Sequence, residues 1–413
     1  MLYTLAVQIY GIAIRLAALR NPKARKWVAG RRGWRASVRK IAQEKGKLLW
    51  FHCASVGEFE QGRPVLESLR VQFPEARILV SFFSPSGYEL HRDYPHADHV
   101  LYLPLDTPAN SRYWVRTLQP SLVVFVKYEF WFNLLRVLKR EQVPTYLISA
   151  HFRPTQFFFR PWARPFLKRL NDFRTLFVQR ESSVKLLQEH GITAPVIVSG
   201  DTRFDRVSEI CRDSSPLPDM ERFLDGSPLM IGGSTWPTEE EYLIRYLRQA
   251  PTDWKYLIAP HEMDEARIQY LLESLGPGAT RYSHWEQTPD AEANILLVDG
   301  YGYLSRLYRY GSLAVVGGGF QDGIHNILEP ATFGMPVCFG PAYDKFAEAH
   351  DLMALGTARS FESYEECTTI LKEWQADAAQ RDELAEKARH YVQAHVGATE
   401  TIVQALAEAW MKA

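Results

Sequence analysis

Short apolar runs end, again and again, in loops of small residues, and each loop opens into a helical stretch. This alternation constrains the fold more than any other feature of the chain. The runs at 48–52, 77–83, 100–103, 122–126, 145–149, 176–179 and 196–199 are nearly continuous in apolar residues. Strands read this way when both faces of a parallel sheet are covered by helices. The pattern predicts a doubly wound sheet. It loosens around 205–228, where Ser214, Ser215, Pro216 and Pro218 fall close together. It then restarts at 229–231, 255–259, 295–298, 313–316 and 336–339. The chain is therefore predicted to hold two such domains, 21–206 and 227–396, joined by a linker at 207–226. A helix at 1–20 precedes them and a C-terminal helix at 397–413 follows. Ligands of open α/β sheets bind beyond the carboxyl ends of the strands. Two sheets in series are expected to face each other across a central cleft that holds the site.

A length of 413 residues suits two domains. Lysine plus arginine balances aspartate plus glutamate, 48 against 48, and a neutral chain is a poor general binder of nucleic acid. The four cysteines, Cys53, Cys211, Cys338 and Cys367, form no CxxC pair, as in a reducing compartment. The balance hides one asymmetry. Residues 1–43 contain no acid, and residues 1–14 carry no charge at all; ten arginines and lysines follow between Arg15 and Lys40. A secretory signal puts its charge before the apolar run, and a spanning helix needs about 20 apolar residues. Leu2, Leu5, Ile9, Ile12 and Leu16 at helical spacing, with Tyr3, Tyr10, Trp27 and Trp34, predict a helix lying on a membrane surface. The competing reading is an ordinary first helix packed on the core. The basic flank places the body of the protein on the cytoplasmic side.

Two segments carry candidate chemistry. In the first, a strand ends at His52, a loop of small residues runs through Ser55 and Gly57, and a helix begins at Glu58 and runs to 73. A carboxylate at a helix start is stabilised by the unpaired amides and suits a general base for a hydroxyl. Ser55 also stands where a hydrolase places its nucleophile, but Cys53 replaces the first glycine of that motif. In the second, Gly317, Gly318 and Gly319 follow a strand and lead into His325, Asn326 and Glu329. Such glycines let backbone amides approach a phosphate, and Asn326 and Glu329, three apart on one helix, share a face that suits a ribose. The loop at Gly232, Gly233, Ser234 and Thr235 is a further phosphate candidate; Glu239, Glu240 and Glu241 after it read as a solvated helix face. His261 stands at another strand end. Neither a P-loop lysine motif nor a Gly-x-Gly-x-x-Gly after a first strand is present, and no His, Asp and Glu spacing suggests a metal.

The His-x-x-Ser-x-Gly-Glu loop ending at Glu58 resembles the opening signature of the 3-deoxy-D-manno-octulosonic acid (Kdo) transferases. The segments Glu129 to Asn133, Gly200 to Asp205, Gly232 to Thr235, and His325 to Ala331 with Gly340 and Pro341 resemble that family in order along the chain. The resemblance implies a GT-B fold of two Rossmann-like domains and an inverting, metal-independent glycosyltransferase without a cofactor. It implies CMP-Kdo as donor and a phosphorylated, acylated lipid A precursor as acceptor, at the cytoplasmic face of the inner membrane. Glu58 carries over as the base. Ser55, Gly57, Lys127 and Glu129 fall on the acceptor side. Ser234, Thr235, His261, Gly302, Gly318, Gly319, Asn326 and Glu329 fall on the donor side. The chain departs from the family pattern at Lys127, often Glu; at Phe132, often Pro; and at Pro260 to Glu262, where an arginine beside the histidine is missing. The alternatives are another GT-B transferase or nucleotide-sugar epimerase, an esterase-like hydrolase using Ser55, and a two-domain binding protein.

Overall fold

The computed structural model describes residues 2–128, 130–213, 215–290 and 292–413. The chain divides into two compact units. The first runs to Asp205 and is rejoined by 396–413; the second is 206–395.

In the first unit β1 (Leu48–Cys53), β2 (Arg77–Phe82), β3 (His99–Tyr102), β4 (Leu122–Val126), β5 (Thr145–Ala150), β6 (Thr175–Val178) and β7 (Val196–Val198) form one parallel sheet, in the order 3-2-1-4-5-6-7. The central strands β1 and β4 are buried along their whole length, which is why they read as unbroken apolar runs. In the second unit β8 (Leu229–Thr235), β9 (Lys255–Pro260), β10 (Ala279–Arg281), β11 (Ile295–Leu297), β12 (Leu313–Val316), β13 (Val337–Phe339) and β14 (Ala358–Ser360) form another, in the order 10-11-9-8-12-13-14. The three-residue strands β10 and β14 were not legible in the sequence. Both are edge strands with little apolar content.

Three helices precede β1: α1 (Leu2–Ala17), α2 (Pro22–Ala29) and α3 (Trp34–Ala42). The Asn21 side chain caps α2 by accepting from the Ala24 N–H at 3.1 Å. α1 is fastened to the first unit: the Tyr3 hydroxyl donates to Asp106 at 2.7 Å, and Val7 and Gly11 are buried. Among the described residues no helix is long and apolar enough to cross a membrane.

The last helix, Ala398–Lys412, returns to the first unit. Ile402, Leu406 and Trp410 join the core cluster of Phe51, Phe59 and Leu66. Asp205 holds its start, accepting from the N–H groups of Gly397 and Thr399, each at 2.6 Å. The stretch 207–226, expected as a linker, is largely helical. It holds the end of Thr202–Asp213 and the whole of Pro218–Leu224, whose Met220 and Phe223 are buried. These two apolar residues, three apart, give that short helix an inner face, and Phe223 packs edge-on against Trp285 at 5.3 Å.

Candidate active site

In the first unit β1 ends at Cys53, and α4 (Val56–Gln72) begins two residues before the predicted start. Ser55 is its N-cap, in an extended conformation. Glu58 therefore lies within the first turn and does not open the helix, and its Oε2 accepts the N–H of Ala54. That bond folds the carboxylate back over the loop, and the positive end of the helix stabilises its charge. The Ala54 carbonyl in turn accepts from the Ser84 N–H at 2.7 Å, tying the loop to the end of β2.

His52, at the end of the same strand, is sealed inside. The Trp131 indole N–H donates to its Nε2 at 2.8 Å. Its proton therefore sits on Nδ1, which faces the Ser81 hydroxyl at 2.8 Å and carbonyl at 3.0 Å. Burial lowers the pKa of His52 to about 4, against the opposing pull of the Glu58 charge. Both nitrogens of the His52 imidazole are engaged, so it is not available as the base of a hydrolase using Ser55.

Lys127 follows β4 with a left-handed backbone (φ 61°), and its charge acts on the Asp201 carboxyl. Burial opposes ionisation of Asp201, yet Arg203, at 2.7 Å, holds it below the usual carboxylate range. Gly57 is exposed, with open space where a Cβ would stand. Glu129 lies outside the described residues. Asn133, four residues on, is structural: it is buried and donates to the Asp106 carbonyl at 2.6 Å.

In the second unit three neighbouring strand ends bring their side chains together. Trp236 follows β8, His261 follows β9, and His325 follows the glycine loop after β12. Trp236 and His261 stack at 4.6 Å, and His261 and His325 at 4.5 Å. The Trp236 indole N–H donates to His325 Nε2 at 2.9 Å, which again places the imidazole proton on Nδ1. Burial, reinforced by His261, lowers the His325 pKa to about 4. His325 and Trp236 were missed in the sequence as site residues. Their pairing spans 89 positions, and no local pattern signals it.

The glycine loop is built by close backbone approach. A Cβ on Gly317 would stand 2.2 Å from the Ser234 carbonyl oxygen, and one on Gly319 would stand 2.5 Å from the Gly340 backbone. Ser234 has a left-handed backbone (φ 51°). Thr235 is buried, and its hydroxyl donates to Glu240 at 3.3 Å.

The acidic run is not the solvated face that its charge suggested. Glu239 and Glu240 are buried, and only Glu241 is exposed. Helical spacing places 239 and 240 on the inner face with Leu243 and Ile244. Glu240 pairs with Arg267. Burial raises the Glu239 pKa, while the backbone N–H groups of Trp236, Gly318 and Gly319 favour its charged form. Part of the loop's donor capacity is thus directed at an internal carboxylate.

Asn326 and Glu329 meet, with Asn326 Nδ2 donating to Glu329 Oε1 at 3.0 Å. They do so although Asn326 stands outside the short helix Leu328–Thr332. Asn326 Oδ1 accepts from the Leu328 N–H at 3.2 Å, so the asparagine acts as a local cap. Gly302 lies in the turn after β11, left-handed (φ 87°) and open on its Cβ side. Among the described residues no group of three or more His, Cys, Asp or Glu side chains converges as metal ligands do.

These two doubly wound units, each presenting polar residues at its strand ends, define the class: the chain has the GT-B fold. It aligns with a UDP-N-acetylglucosamine 2-epimerase from Listeria monocytogenes (TM-score 0.60, 13% identity, 90% of this chain and 98% of that one). It aligns likewise with MurG from Acinetobacter baumannii (TM-score 0.55, 13% identity, 88% and 100%). Residues 28–206 match the family described as 3-Deoxy-D-manno-octulosonic-acid transferase (kdotransferase). Among curated proteins, the 3-deoxy-D-manno-octulosonic acid transferase of Chlamydia muridarum is 30% identical over 313 residues, covering 72% of this chain and 71% of its own. Those of Chlamydophila psittaci (28%, covering 75% and 73%) and Aquifex aeolicus (26%, covering 74% and 79%) are similar. The chain belongs to the Kdo transferase family. It is a glycosyltransferase, and Kdo is the sugar it transfers.

Proposed function

We propose that the chain moves Kdo from CMP-Kdo to a hydroxyl of a lipid A precursor, as a step of lipopolysaccharide assembly at the cytoplasmic face of the inner membrane. The observation that carries the reading is Glu58, a carboxylate in the first turn of α4, held over the small-residue loop by the Ala54 N–H. Glu58 removes the proton of the acceptor hydroxyl as that oxygen attacks the anomeric carbon. The bond to the CMP phosphate breaks through an oxocarbenium-like state and the configuration inverts. Ser55, Gly57, Lys127 and Glu129 serve the acceptor. On the donor side, Gly318 and Gly319 leave room for the phosphate to approach the loop, and Ser234 and the Nδ1–H of His325 meet it, with His261 stacked beside them. Asn326 and Glu329 take the ribose hydroxyls, and Thr235 and Gly302 shape the loops around the nucleotide. α1 supports the membrane surface: Leu2, Leu5, Ile9, Ile12 and Leu16 are each more than half exposed on it.

The test is a transferase assay with CMP-Kdo and a tetraacylated lipid A precursor, comparing the chain with Glu58→Gln. The expected result is product from the wild type and a loss of kcat on the order of a hundredfold or more in the variant. Equal rates would remove Glu58 as the base; no product from either would remove this donor and acceptor pair.

A further inference from the structure

The acid-free N-terminal segment folds around a cavity lined by none of the residues placed above on the donor or acceptor side. α1, α2, the start of α3 and the loop after β3 enclose about 300 Å³, lined by Arg15, Arg31, Arg32, Trp27, Trp34 and Asn110 among others. That is room for about ten waters, or for a phosphate ester.

Arg31 sets the charge of the cavity. Its guanidinium donates to the carbonyl oxygens of Phe83 at 2.7 Å, Leu103 at 2.8 Å and Trp27 at 3.0 Å, and it lies 3.7 Å over the Trp27 ring. Carbonyls orient the guanidinium but do not neutralise it. Among the described residues neither Arg15, Arg31 nor Arg32 makes an ion pair. The carboxylate of Asp106, next along the chain from Leu105 in the cavity wall, is turned to Tyr3, Ser111 and Asn133. Arg15 and Arg32 are solvent-exposed and reach the cavity from outside, Arg31 is half-buried, and among the described residues no acidic side chain lines the space, so an anion there would meet three guanidinium groups.

We propose that this cavity binds the phosphate of an anionic lipid headgroup in the bilayer on which α1 lies. α1 argues for the lipid source. It carries a single charge, Arg15, and that residue lines the cavity. Its exposed apolar side chains are on the same helix, with Leu2 at 83% and Leu16 at 64% exposure. A helix seated this way puts its leucines at acyl depth and its flank at the level of the phosphates. The inference rests on the membrane-surface reading and adds that the electrostatic attraction is gathered into one site rather than spread along the basic segment.

The test uses the full chain in sedimentation with vesicles of phosphatidylcholine alone and with phosphatidylglycerol added. Arg15→Gln/Arg32→Gln removes two charges from the cavity. Arg20→Gln/Arg39→Gln removes two from the same segment outside it. Spread attraction weakens binding by roughly fivefold per lost charge, equally in both pairs. The site predicts a loss of about a hundredfold for the cavity pair and less than about fivefold for the other, with unchanged thermal melting of both. Equal losses would overturn the cavity and leave the surface helix standing. Failure of the wild type to bind either vesicle would overturn the membrane reading and the lipid source with it. Release of the wild type by inorganic phosphate, at an ionic strength where chloride releases none, would support a phosphate-specific cavity.

Discussion

The two units use one device with opposite outcomes. In each, an indole N–H donates to the Nε2 of a histidine at a strand end and leaves the imidazole neutral with its proton on Nδ1. In the first unit the other nitrogen is also taken, by Ser81, so His52 is sealed and the group left reachable is the carboxylate of Glu58. In the second unit the carboxylate, Glu239, is the sealed group. His325 is half-buried, and Nδ1 has no partner among the described residues. One unit thus offers a carboxylate and the other a neutral hydrogen-bond donor. The difference lies in what stands opposite the second nitrogen, not in the indole–imidazole pair.

That contrast can be broken in order of expected effect. His325→Ala removes the reachable donor. A hydrogen bond to a charged group contributes about 1.5–3 kcal/mol, so KM for the sugar donor is expected to rise about tenfold to a hundredfold, with kcat less affected. An unchanged KM in steady-state kinetics would mean that Nδ1 does not meet the donor. Trp131→Phe removes the indole N–H donated to the buried His52 Nε2. The expected cost is about 1–3 kcal/mol of stability, read as a Tm lower by several degrees, with kcat of the folded enzyme largely kept. A loss of kcat at constant Tm would make the first pair a ligand-facing one after all.

Trp236→Phe is the mildest change and tests what keeps His325 neutral. Burial and His261 hold the His325 pKa near 4, so losing the bond to Nε2 is expected to leave the midpoint close to 4, followed by nitrogen-15 NMR, while kcat above pH 7 changes less than about threefold. A midpoint that rises toward 6.5 would show that the indole bond, and not burial with His261, keeps the imidazole neutral. The same values set the acid stability of the wild type. His52 and His325 bind protons near pH 4 when folded and near 6.5 when unfolded, so the unfolded chain holds more protons between these limits. Stability from these two groups is present above about pH 6.5 and is lost as the pH falls toward 4. Denaturant midpoints across that window measure it.

Much of this was legible in the sequence. The central strands declared themselves because a strand covered on both faces must be apolar throughout, and Glu58 stood out because a carboxylate at a helix start after a small-residue loop has a defined electrostatic environment. The close meeting of Asn326 and Glu329 also followed from their spacing, though not from a shared helix. The acidic run was misread: charge alone suggested solvent, and only the placement of its helix buried Glu239 and Glu240. The return of the last helix to the first unit, fastened by Asp205, had no local signal either.

The sequence by itself determined the elements, because apolar runs, caps and glycines act over a few residues. Only the tertiary structure decided the partners. Trp131 meets His52 because β4 lies beside β1, and Trp236 meets His261 and His325 because β8 lies between β9 and β12. Crossover order places side chains 79 and 89 positions apart within one hydrogen bond, and the protonation of each imidazole follows from that contact.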